Sequence, residues 1–314
     1  MTKLQKAFLS FNESITLSDS KRDNLVTSRD ALKDVITKWF DTHHPECKPE
    51  FKVQGSFAMK TTLMQLEGEE YDIDLGIYLS GYECTDKNEY PSPHTVHGWI
   101  NEATKDQTKE ENINKMTCIR VIYKNDYHVD LPSYIKDAND NILLSHTRDG
   151  WVASDPVEFT NWFLLHVSQY GEQLRRLVKY IKAWKDYRKM PLASIAITIL
   201  VCNSFVGSEG EDYKSLYETL KSINNKLSYS FICNKPVAPF ENIFEDYSDT
   251  RKQTVINGLK DFEQRMGIVI NDNDCEIKKK NLFKLFGDRF VISCDEKFEK
   301  TEKPGILKSD GRSA

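Results

Sequence analysis

Three short segments of the chain carry side chains that could transfer a phosphoryl group. They contain Gly55 and Ser56, the pair Asp72 and Asp74, and Asp130. Residues two apart on a strand point to the same face, so Asp72 and Asp74 would place two carboxylates side by side. Carboxylates this close repel each other unless a cation lies between them. Hard oxygen ligands suit Mg²⁺, and Asp130 could complete the site from a neighbouring strand. The pattern predicts a two-metal phosphoryl-transfer site.

Gly55 and Ser56 indicate a phosphate contact beside that metal site. A glycine lets the backbone approach a ligand closely, the N–H groups of its neighbours can face an anion, and Ser56 adds a hydroxyl. The Walker A pattern GxxxxGK[ST] and the protein-kinase HRD and DFG elements are absent from the sequence. Each motif alone also fits an ordinary turn, a solvated strand or a capping aspartate. The hypothesis therefore depends on all three motifs occurring in this order.

The three motifs lie in a first half that mixes strand and helix patterns. Apolar residues alternate with Asp72 and Asp74, which is typical of a half-buried strand. Helical spacing of apolar residues predicts a helix that begins after a cap at Thr27 or Ser28. The predicted strands are 51–53, 71–79, 117–123 and 127–131, with a turn at 124–126. The predicted helices of this half cover 4–11, a segment from about residue 28 to Pro45, and 94–104.

From Asp155 onward the pattern is helical. An aspartate followed by Pro156 is a helix-start signal. The predicted helices are 156–169, 172–188, 192–206, 213–227, 250–266 and 277–286. The boundary between the two halves is expected near residue 150. The polar segment after residue 298 is expected to be a flexible tail.

Composition and charge exclude several classes of protein. The 314 residues include 43 Lys and Arg against 48 Asp and Glu, a net charge of −5, which disfavours a globally basic nucleic-acid binder. The longest apolar stretch, 192–206, is shorter than the roughly 18 residues of a membrane span and predicts a buried helix. The first residues show no signal-peptide pattern. The seven cysteines are scattered singly without a CxxC motif, which argues against a disulfide framework or a zinc site and predicts a cytoplasmic location.

The motifs together resemble a known family. The segments are QGSFAMKTTL from Gln54, EYDIDLGIYL from Glu70 and YHVDLPSY from Tyr127. They resemble the nucleotidyltransferases of the polymerase-beta superfamily, and most closely the bacterial cyclic GMP–AMP synthase/DncV-like enzymes, the CD-NTases of antiphage signalling. The similarity continues through LRRLVKYIKAW from Leu174, PLAS from Pro191 and PVAPFENI, and it spans most of residues 27–270.

The resemblance implies an α+β fold with two lobes. A nucleotidyltransferase core with a mixed sheet and the N-terminal helices would occupy residues 1–150. An α-helical lobe would occupy 151–298, followed by the tail 299–314, and the active site would lie in the cleft between the lobes. The implied activity converts ATP, GTP or other nucleoside triphosphates into a cyclic di- or trinucleotide. A ribose hydroxyl attacks an α-phosphate, pyrophosphate leaves at each step, and the product activates a downstream effector.

The resemblance also assigns roles to individual residues. Asp72 and Asp74 would bind two Mg²⁺ ions, or Mn²⁺ in their place, and Asp130 would bind the ion that activates the nucleophile. Lys182 and Ser194 would hold the donor phosphates, with Lys179 as a second candidate for the lysine. Arg120 would contact a base or pair with an acidic residue. The residues expected to cradle the triphosphate are Gln54, Gly55, Ser56 and Phe57.

The sequence leaves three functions open. The first is a cyclic oligonucleotide synthase, and the second is a linear nucleotidyltransferase that modifies RNA or a protein. The third is a nucleotide-binding sensor without turnover, which the three aspartates disfavour. No zinc ribbon like that of the animal DNA-sensing synthase is visible, so nucleic-acid activation is not expected. Ala314 would serve for attachment by a ubiquitin-transfer-like partner, or the C-terminus is an ordinary frayed end.

Overall fold

The computed structural model describes residues 1–66, 70–82, 86–123 and 127–294. The predicted turn at 124–126, Cys84 and the tail 299–314 with Ala314 lie outside the described residues. The α-helices are α1 (Lys3–Ile15), α2 (Asp19–His43), α3 (Gly55–Ala58), α4 (Pro93–Thr104), α5 (Pro156–Tyr170), α6 (Glu172–Tyr187), α7 (Ser194–Ser204), α8 (Asp212–Tyr229), α9 (Asp249–Asn271) and α10 (Cys275–Phe286). The strands are β1 (Pro49–Gln54), β2 (Tyr71–Leu79), β3 (Ile113–Asn114), β4 (Ile119–Tyr123), β5 (Tyr127–Leu131), β6 (Ser133–Lys136), β7 (Ile142–His146) and β8 (Gly150–Ala153).

All of these strands belong to one mixed sheet with β2 near its centre. The beginning of β2 pairs in parallel with β5, and its end pairs in parallel with β6. Strand β1 pairs with β2 in antiparallel orientation. The other strands extend the sheet in the order β3-β4-β5 on one side and β6-β7-β8 on the other. Strand β2 therefore has neighbours that can bring further side chains beside Asp72 and Asp74.

The buried apolar side chains form two clusters, one around the sheet and one among the helices. The sheet cluster joins β2, β4 and β5 to the apolar faces of α2 and α4. The helical cluster joins α5 to α10, with Tyr180 and Trp184 of α6 fully buried at its centre. This arrangement of a mixed sheet and a helical region confirms the predicted α+β class.

Local capping explains where several helices begin. Asp155 caps α5 as predicted, since its Oδ1 accepts a hydrogen bond from the Glu158 N–H at 2.9 Å. The prediction for α2 was wrong, because this helix begins at Asp19 after a Ser18 cap rather than after Thr27 or Ser28. Leu25 is fully buried one helical repeat before Leu32, so the apolar face continues further toward the N-terminus than the sequence analysis placed it.

Long-range packing differs from the sequence analysis in the first lobe. Helix α1 packs in the helical cluster through Phe8 and Phe11 and not on the sheet with α2. Strands β6 to β8 were not predicted, and β8 carries the sheet to Ala153, slightly beyond the expected boundary near residue 150. The division into domains stays a prediction. The N-terminal helix nevertheless contacts the lobe that follows it by more than 140 residues in sequence.

The cysteines also differ from expectation. Cys275 at the start of α10 and Cys294 form a disulfide, with their Cα atoms 5.5 Å apart. The sequence analysis did not identify this pair, because the two cysteines lie 19 positions apart and form no short motif. Four other cysteines in the described ranges are free thiols, and all four are buried.

In the part of the chain that the structure describes, no helix has both the length and the apolar composition of a membrane span.

Candidate active site

The three predicted metal-binding carboxylates lie on two adjacent strands. Asp72 and Asp74 are on β2, and the parallel register with β5 places Asp74 opposite Asp130 and Asp72 opposite His128. Side chains two apart share a face, so all four point from the same side of the sheet. Ligand atoms of Asp72, His128 and Asp130 lie within 4.8 Å of one another. The structure therefore brings the predicted carboxylates together and adds a histidine to them.

Asp74 carries the clearest electrostatic signature in this group. Burial raises its pKa to about 8, and repulsion from Asp72 and Asp130 adds to the increase. Arg120 and Lys115 oppose this shift only in part. A divalent cation between the carboxylates would relieve the repulsion, and oxygen donors in this number suit Mg²⁺ or Mn²⁺. The donor set thus fits the metal ions that the resemblance implies.

Gly55 makes room for the Asp74 carboxylate. It has a φ of +65°, and a Cβ added there would lie 2.1 Å from Asp74 Oδ2. An L-amino acid would meet both a left-handed backbone and a steric clash at this position. We had expected Gly55 to bring backbone N–H groups near a phosphate. The structure shows a more specific reason for the glycine, since it lets the Asp74 carboxylate lie against the turn from β1 into α3.

Of the other residues of this turn, Gln54 and Ser56 line the cleft and Phe57 packs in the core. Gln54 is buried and donates from Nε2 to the hydroxyl of Tyr134 at 2.8 Å. The Ser56 hydroxyl lies 2.8 Å from Thr62 Oγ1. Phe57, which was expected near the triphosphate, is buried in the sheet cluster instead. Its aromatic ring faces α2, and so the structure does not bring Phe57 to the cleft.

Arg120 forms an ion pair with Asp130 and is not among the described residues that line the cleft. Strands β4 and β5 place the two residues opposite each other. The Arg120 guanidinium donates from Nε and Nη2 to the two Asp130 oxygens, both at 2.7 Å. The Lys115 ammonium lies 3.9 Å from Asp130 Oδ2. Of the two roles expected for Arg120, the structure shows pairing with an acid.

A cleft of about 960 Å³ separates the sheet carboxylates from the helical lobe. Its sheet side includes Asp72, Asp74 and Ser56, and its helical side includes Lys182 and Ser194. The remaining lining residues are Gln54, Gly55, Met59, Thr61, Thr62, Leu63, Gln65, Ser154, Pro156, Phe159, Lys185, Asp186, Lys189, Met190, Ile195, Thr198 and Lys235. The wall therefore combines metal-type oxygen donors, cationic groups and an apolar surface large enough for a nucleotide base.

Lys182 is the better of the two lysines considered for phosphate binding. It is buried in the wall of the cleft and donates to Thr61 Oγ1 at 3.0 Å. Burial lowers its pKa to about 8, although Asp72 across the cleft favours the charged form. Lys179 lies one turn earlier on α6, where its ammonium donates to Thr16 Oγ1 of α1 at 2.7 Å. Lys179 thus contacts the helical lobe and does not line the cleft.

The cleft also contains cationic residues that the sequence analysis did not assign. Lys185 donates to the Ser194 hydroxyl at 3.1 Å and lies 3.0 Å from the Asp186 carboxylate. Its position three residues after Lys182 on the same helix is a signal that could have identified it. Lys235 lies 3.5 Å from Glu241 in the segment between α8 and α9, where no periodic pattern marks it.

Comparisons with known proteins agree with this geometry. Residues 49–134, from β1 to β6, match the sequence model of the family described as cyclic GMP-AMP synthase DncV-like, nucleotidyltransferase domain. A c-di-GMP synthase of Roseivirga ehrenbergii is 23% identical over 278 residues, covering 76% of this chain and 69% of that protein. A cyclic GMP-AMP synthase of Vibrio cholerae is 24% identical over 233 residues, covering 58% of this chain. The chain spans about half of the length of this second relative, 53%.

Solved structures show the same fold. The crystal structure of the Vibrio cholerae DncV cyclic AMP-GMP synthase superposes with a TM-score of 0.72 at 17% identity, covering 89% of this chain and 93% of that one. The complex of that synthase with the linear intermediate 5′ pppA(3′,5′)pG gives a TM-score of 0.70 at 18% identity over the same shares.

The family match over residues 49–134 and the curated relatives identify the class of the enzyme as a nucleotidyltransferase. The matched domain contains Gly55, Ser56 and the three aspartates Asp72, Asp74 and Asp130, so the predicted resemblance is confirmed. Residues 49–134 are thus similar to the DncV-like nucleotidyltransferase domain, and the chain shares the fold of the solved synthase.

Proposed function

We propose that the chain converts nucleoside triphosphates into a cyclic di- or trinucleotide. The observation that carries the proposal is the cleft itself, in which Asp72 and Asp74 of the sheet face Lys182 of the helical lobe. A nucleoside triphosphate needs cationic partners for its phosphates and a metal-binding site beside its α-phosphate. Side chains suited to both roles line one cavity of about 960 Å³.

The triphosphate would bind on the helical side of the cleft. Lys182 and Lys185 supply two ammonium groups there, and Ser194 supplies a hydroxyl next to Lys185. Ammonium groups bind phosphate oxygens through charge-assisted hydrogen bonds. Thr61 fixes Lys182 through its hydroxyl, so the lysine would be positioned before the nucleotide arrives. Ser56 on the facing turn would contact the same phosphates from the sheet side.

The metal ions would be held by the carboxylates of β2 and β5. Asp72 and Asp74 would bind both ions, and Asp130 would bind the ion on the side of the attacking hydroxyl. When bound, such ions neutralise charge on the transferred phosphoryl group and increase the acidity of a hydroxyl. Arg120 donates to both oxygens of Asp130, and each oxygen retains a further lone pair for an ion. Arg120 therefore orients the Asp130 carboxylate on the face where it would act.

The reaction itself follows from the groups that this cleft can hold together. A ribose hydroxyl of one nucleotide attacks the α-phosphorus of another, the new P–O bond forms, and pyrophosphate leaves. The chain contributes mainly by positioning the two reactants, which converts an encounter in solution into a reaction within one complex. Met59, Phe159 and Ile195 offer apolar surface on which bases can pack. A second attack within the linear product would close the ring.

The cyclic product is supported by the names of the similar proteins. These are a c-di-GMP synthase and a cyclic GMP-AMP synthase, and a structure of the Vibrio cholerae synthase holds a linear dinucleotide intermediate. A role in antiphage signalling, an effector that responds to the product and a cytoplasmic location stay predictions. The same is true of a ubiquitin-transfer-like partner, because Ala314 lies outside the described residues.

Product analysis tests this proposal. The purified chain would be incubated with ATP, GTP, CTP and UTP and either Mg²⁺ or Mn²⁺, treated with phosphatase and analysed by mass spectrometry. We expect a phosphatase-resistant cyclic product that disappears in the Asp72→Asn, Asp74→Asn variant. Asp41→Asn, at an exposed position of α2, is the matched control and should keep full activity. Linear products only, or transfer to added RNA or protein, would refute cyclisation in favour of a linear transferase.

A further inference from the structure

A histidine stands beside the carboxylates at a position that the proposed reaction does not use. His128 is on β5, directly opposite Asp72 and two residues before Asp130. It is 6% exposed. One of its ring nitrogens lies within 4.8 Å of carboxylate oxygens of both aspartates. The four side chains Asp72, Asp74, His128 and Asp130 thus form a square on one face of the sheet.

The two ring nitrogens of His128 have different surroundings. Nδ1 lies 2.9 Å from Glu70 Oε2. An ionised carboxylate can only accept a hydrogen bond, so the Nδ1–H group donates a hydrogen bond to Glu70. Nε2 is buried and has no hydrogen-bond partner among the described residues. In the neutral ring this nitrogen carries a lone pair. A buried lone pair without a partner is costly unless something binds it.

A metal ion is the partner that fits this lone pair. Histidines that bind metals typically donate their other N–H to a carboxylate, which is the relation of His128 to Glu70. Donor atoms of one octahedral ion at about 2.1 Å each lie about 3.0 Å apart when adjacent and about 4.2 Å apart when opposite, so a group within 4.8 Å would close around the ion by less than about 2 Å. Among the described residues that line the cleft, neither His128 nor Asp130 is included, so His128 lies beside the carboxylates and outside the main space for a substrate.

We propose that His128 is a nitrogen ligand of a divalent metal ion shared with Asp72 and Asp130, and that this ligand favours a first-row transition-metal ion such as Mn²⁺ over Mg²⁺. Imidazole suits transition metals, whereas Mg²⁺ prefers oxygen donors only. Glu70 then acts as a positioning residue that fixes the orientation of the ring. This inference rests on the proposed function for the metal site and adds to it the choice of metal.

Pulsed electron paramagnetic resonance tests the inference without turnover. The full chain would be loaded with Mn²⁺ alone and examined for nuclear modulation by a directly bound nitrogen. We expect ¹⁴N modulation in the unmodified protein, and its replacement by ¹⁵N modulation when the protein is grown with ¹⁵N-labelled histidine. The signal should be absent in His128→Gln. It should be unchanged in His94→Gln, which alters an exposed histidine of α4.

A second variant keeps the test decisive if His128→Gln does not fold. Glu70 is one-third exposed, so Glu70→Gln should fold normally. Loss of this partner should weaken Mn²⁺ binding by roughly 10-fold, with a smaller effect on Mg²⁺. Mn²⁺ bound without any histidine-nitrogen modulation in the unmodified protein would overturn the inference, as would modulation that persists in folded His128→Gln.

The product assay separates this inference from the proposed function. Cyclic product from a protein that shows no histidine nitrogen on Mn²⁺ would refute the role of His128 and leave the synthase activity standing. Histidine-bound Mn²⁺ in a protein that forms no cyclic product with any nucleoside triphosphate would support the ligand set and refute the activity.

Discussion

Substituting Gly55 by alanine should displace the Asp74 carboxylate while changing the stability of the fold only slightly. The added Cβ would lie 2.1 Å from Asp74 Oδ2 at a backbone φ of +65°. The ordinary contact distance is about 3.5 Å or more between carbon atoms and somewhat less for oxygen. The Asp74 carboxylate therefore has to move by about 1 Å. No such movement is required at a glycine with the same backbone angle and open space around it.

Gly210 provides that matched control. Its φ is +67°, and nothing lies within 4 Å of a Cβ placed there. The left-handed conformation costs an alanine roughly 1–2 kcal/mol, and the reduced freedom of the unfolded chain returns up to about 1 kcal/mol. Gly210→Ala should thus lower the free energy of unfolding by about 1 kcal/mol. Gly55→Ala should lose a similar amount from the backbone angle. A displacement of about 1 Å at reacting groups can cost about 100-fold in rate.

The assay combines urea unfolding with the initial rate of pyrophosphate release from nucleoside triphosphates. We expect kcat to fall about 100-fold in Gly55→Ala and to stay within about twofold of the unmodified protein in Gly210→Ala. Unchanged kcat in folded Gly55→Ala would refute the positioning role of the glycine. An equal loss of kcat in both variants would assign the effect to backbone strain and not to Asp74.

Further predictions concern the phosphate site and the helical lobe. Lys182→Met should raise the KM for nucleoside triphosphate roughly 10-fold or more by removing a charge-assisted phosphate contact, whereas Lys179→Met should leave KM unchanged in the same steady-state assay. Burial lowers the pKa of Lys182 to about 8, so the charged ammonium is lost above that pH. KM should therefore rise between about pH 7.5 and 9. Lys182→Arg should abolish this rise, because a guanidinium stays charged. Asp212→Asn should lower the free energy of unfolding by about 3 kcal/mol in urea titrations, since the fully buried Asp212 carboxylate accepts two hydrogen bonds from Arg176. Burial raises the pKa of Asp212, but the hydrogen bonds from Arg176 leave it lowered overall. The stabilisation by the ionised carboxylate is therefore full above about pH 4 and is lost as the pH falls further. Asp212→Asn should lack this loss of stability at acid pH.

Three results would contradict these predictions. An unchanged KM in Lys182→Met would remove the lysine from the phosphate site. A KM that is independent of pH up to 9 would contradict the lowered pKa of its ammonium. An Asp212→Asn protein as stable as the unmodified chain at pH 7 would show that the bonds to Arg176 contribute little to the helical lobe.

The shared face of the three aspartates was predictable because their arrangement depends on local periodicity. Asp72 and Asp74 alternate with buried apolar residues, and a strand of that pattern places both carboxylates on one face. Asp130 required one further assumption, that its strand lies beside theirs, and the parallel pairing of β2 and β5 satisfies it. The start of α5 was likewise a local property, set by the Asp155 cap.

Residues whose position depends on register or on a third partner were harder to predict. Arg120 meets Asp130 only because β4 and β5 pair in one particular register. The choice between Lys179 and Lys182 depends on which neighbour covers each face of α6, and α1 covers the face of Lys179. Phe57 faces the sheet cluster and not the cleft for the same kind of reason, since α3 turns it toward α2. Helical periodicity alone does not show which neighbour covers a given face.

Contacts between distant segments were not accessible from the sequence pattern. The packing of α1 against α6 and α8 joins the beginning of the chain to its second half. The disulfide joins Cys275 and Cys294 across the α10 helix and the turn that follows it. The short strands β6 to β8 also escaped prediction, although β4 and β5 of similar length were predicted.

Diffraction from crystals grown with Mn²⁺ and a non-hydrolysable nucleoside triphosphate tests the account most directly. Anomalous scattering at the manganese edge locates the ions, and the nucleotide density locates the triphosphate. We predict manganese between Asp72, Asp74 and Asp130, with the triphosphate against Lys182 and Ser194 in the cleft. Nucleotide bound elsewhere, or manganese absent from these carboxylates while the nucleotide is bound, would contradict it.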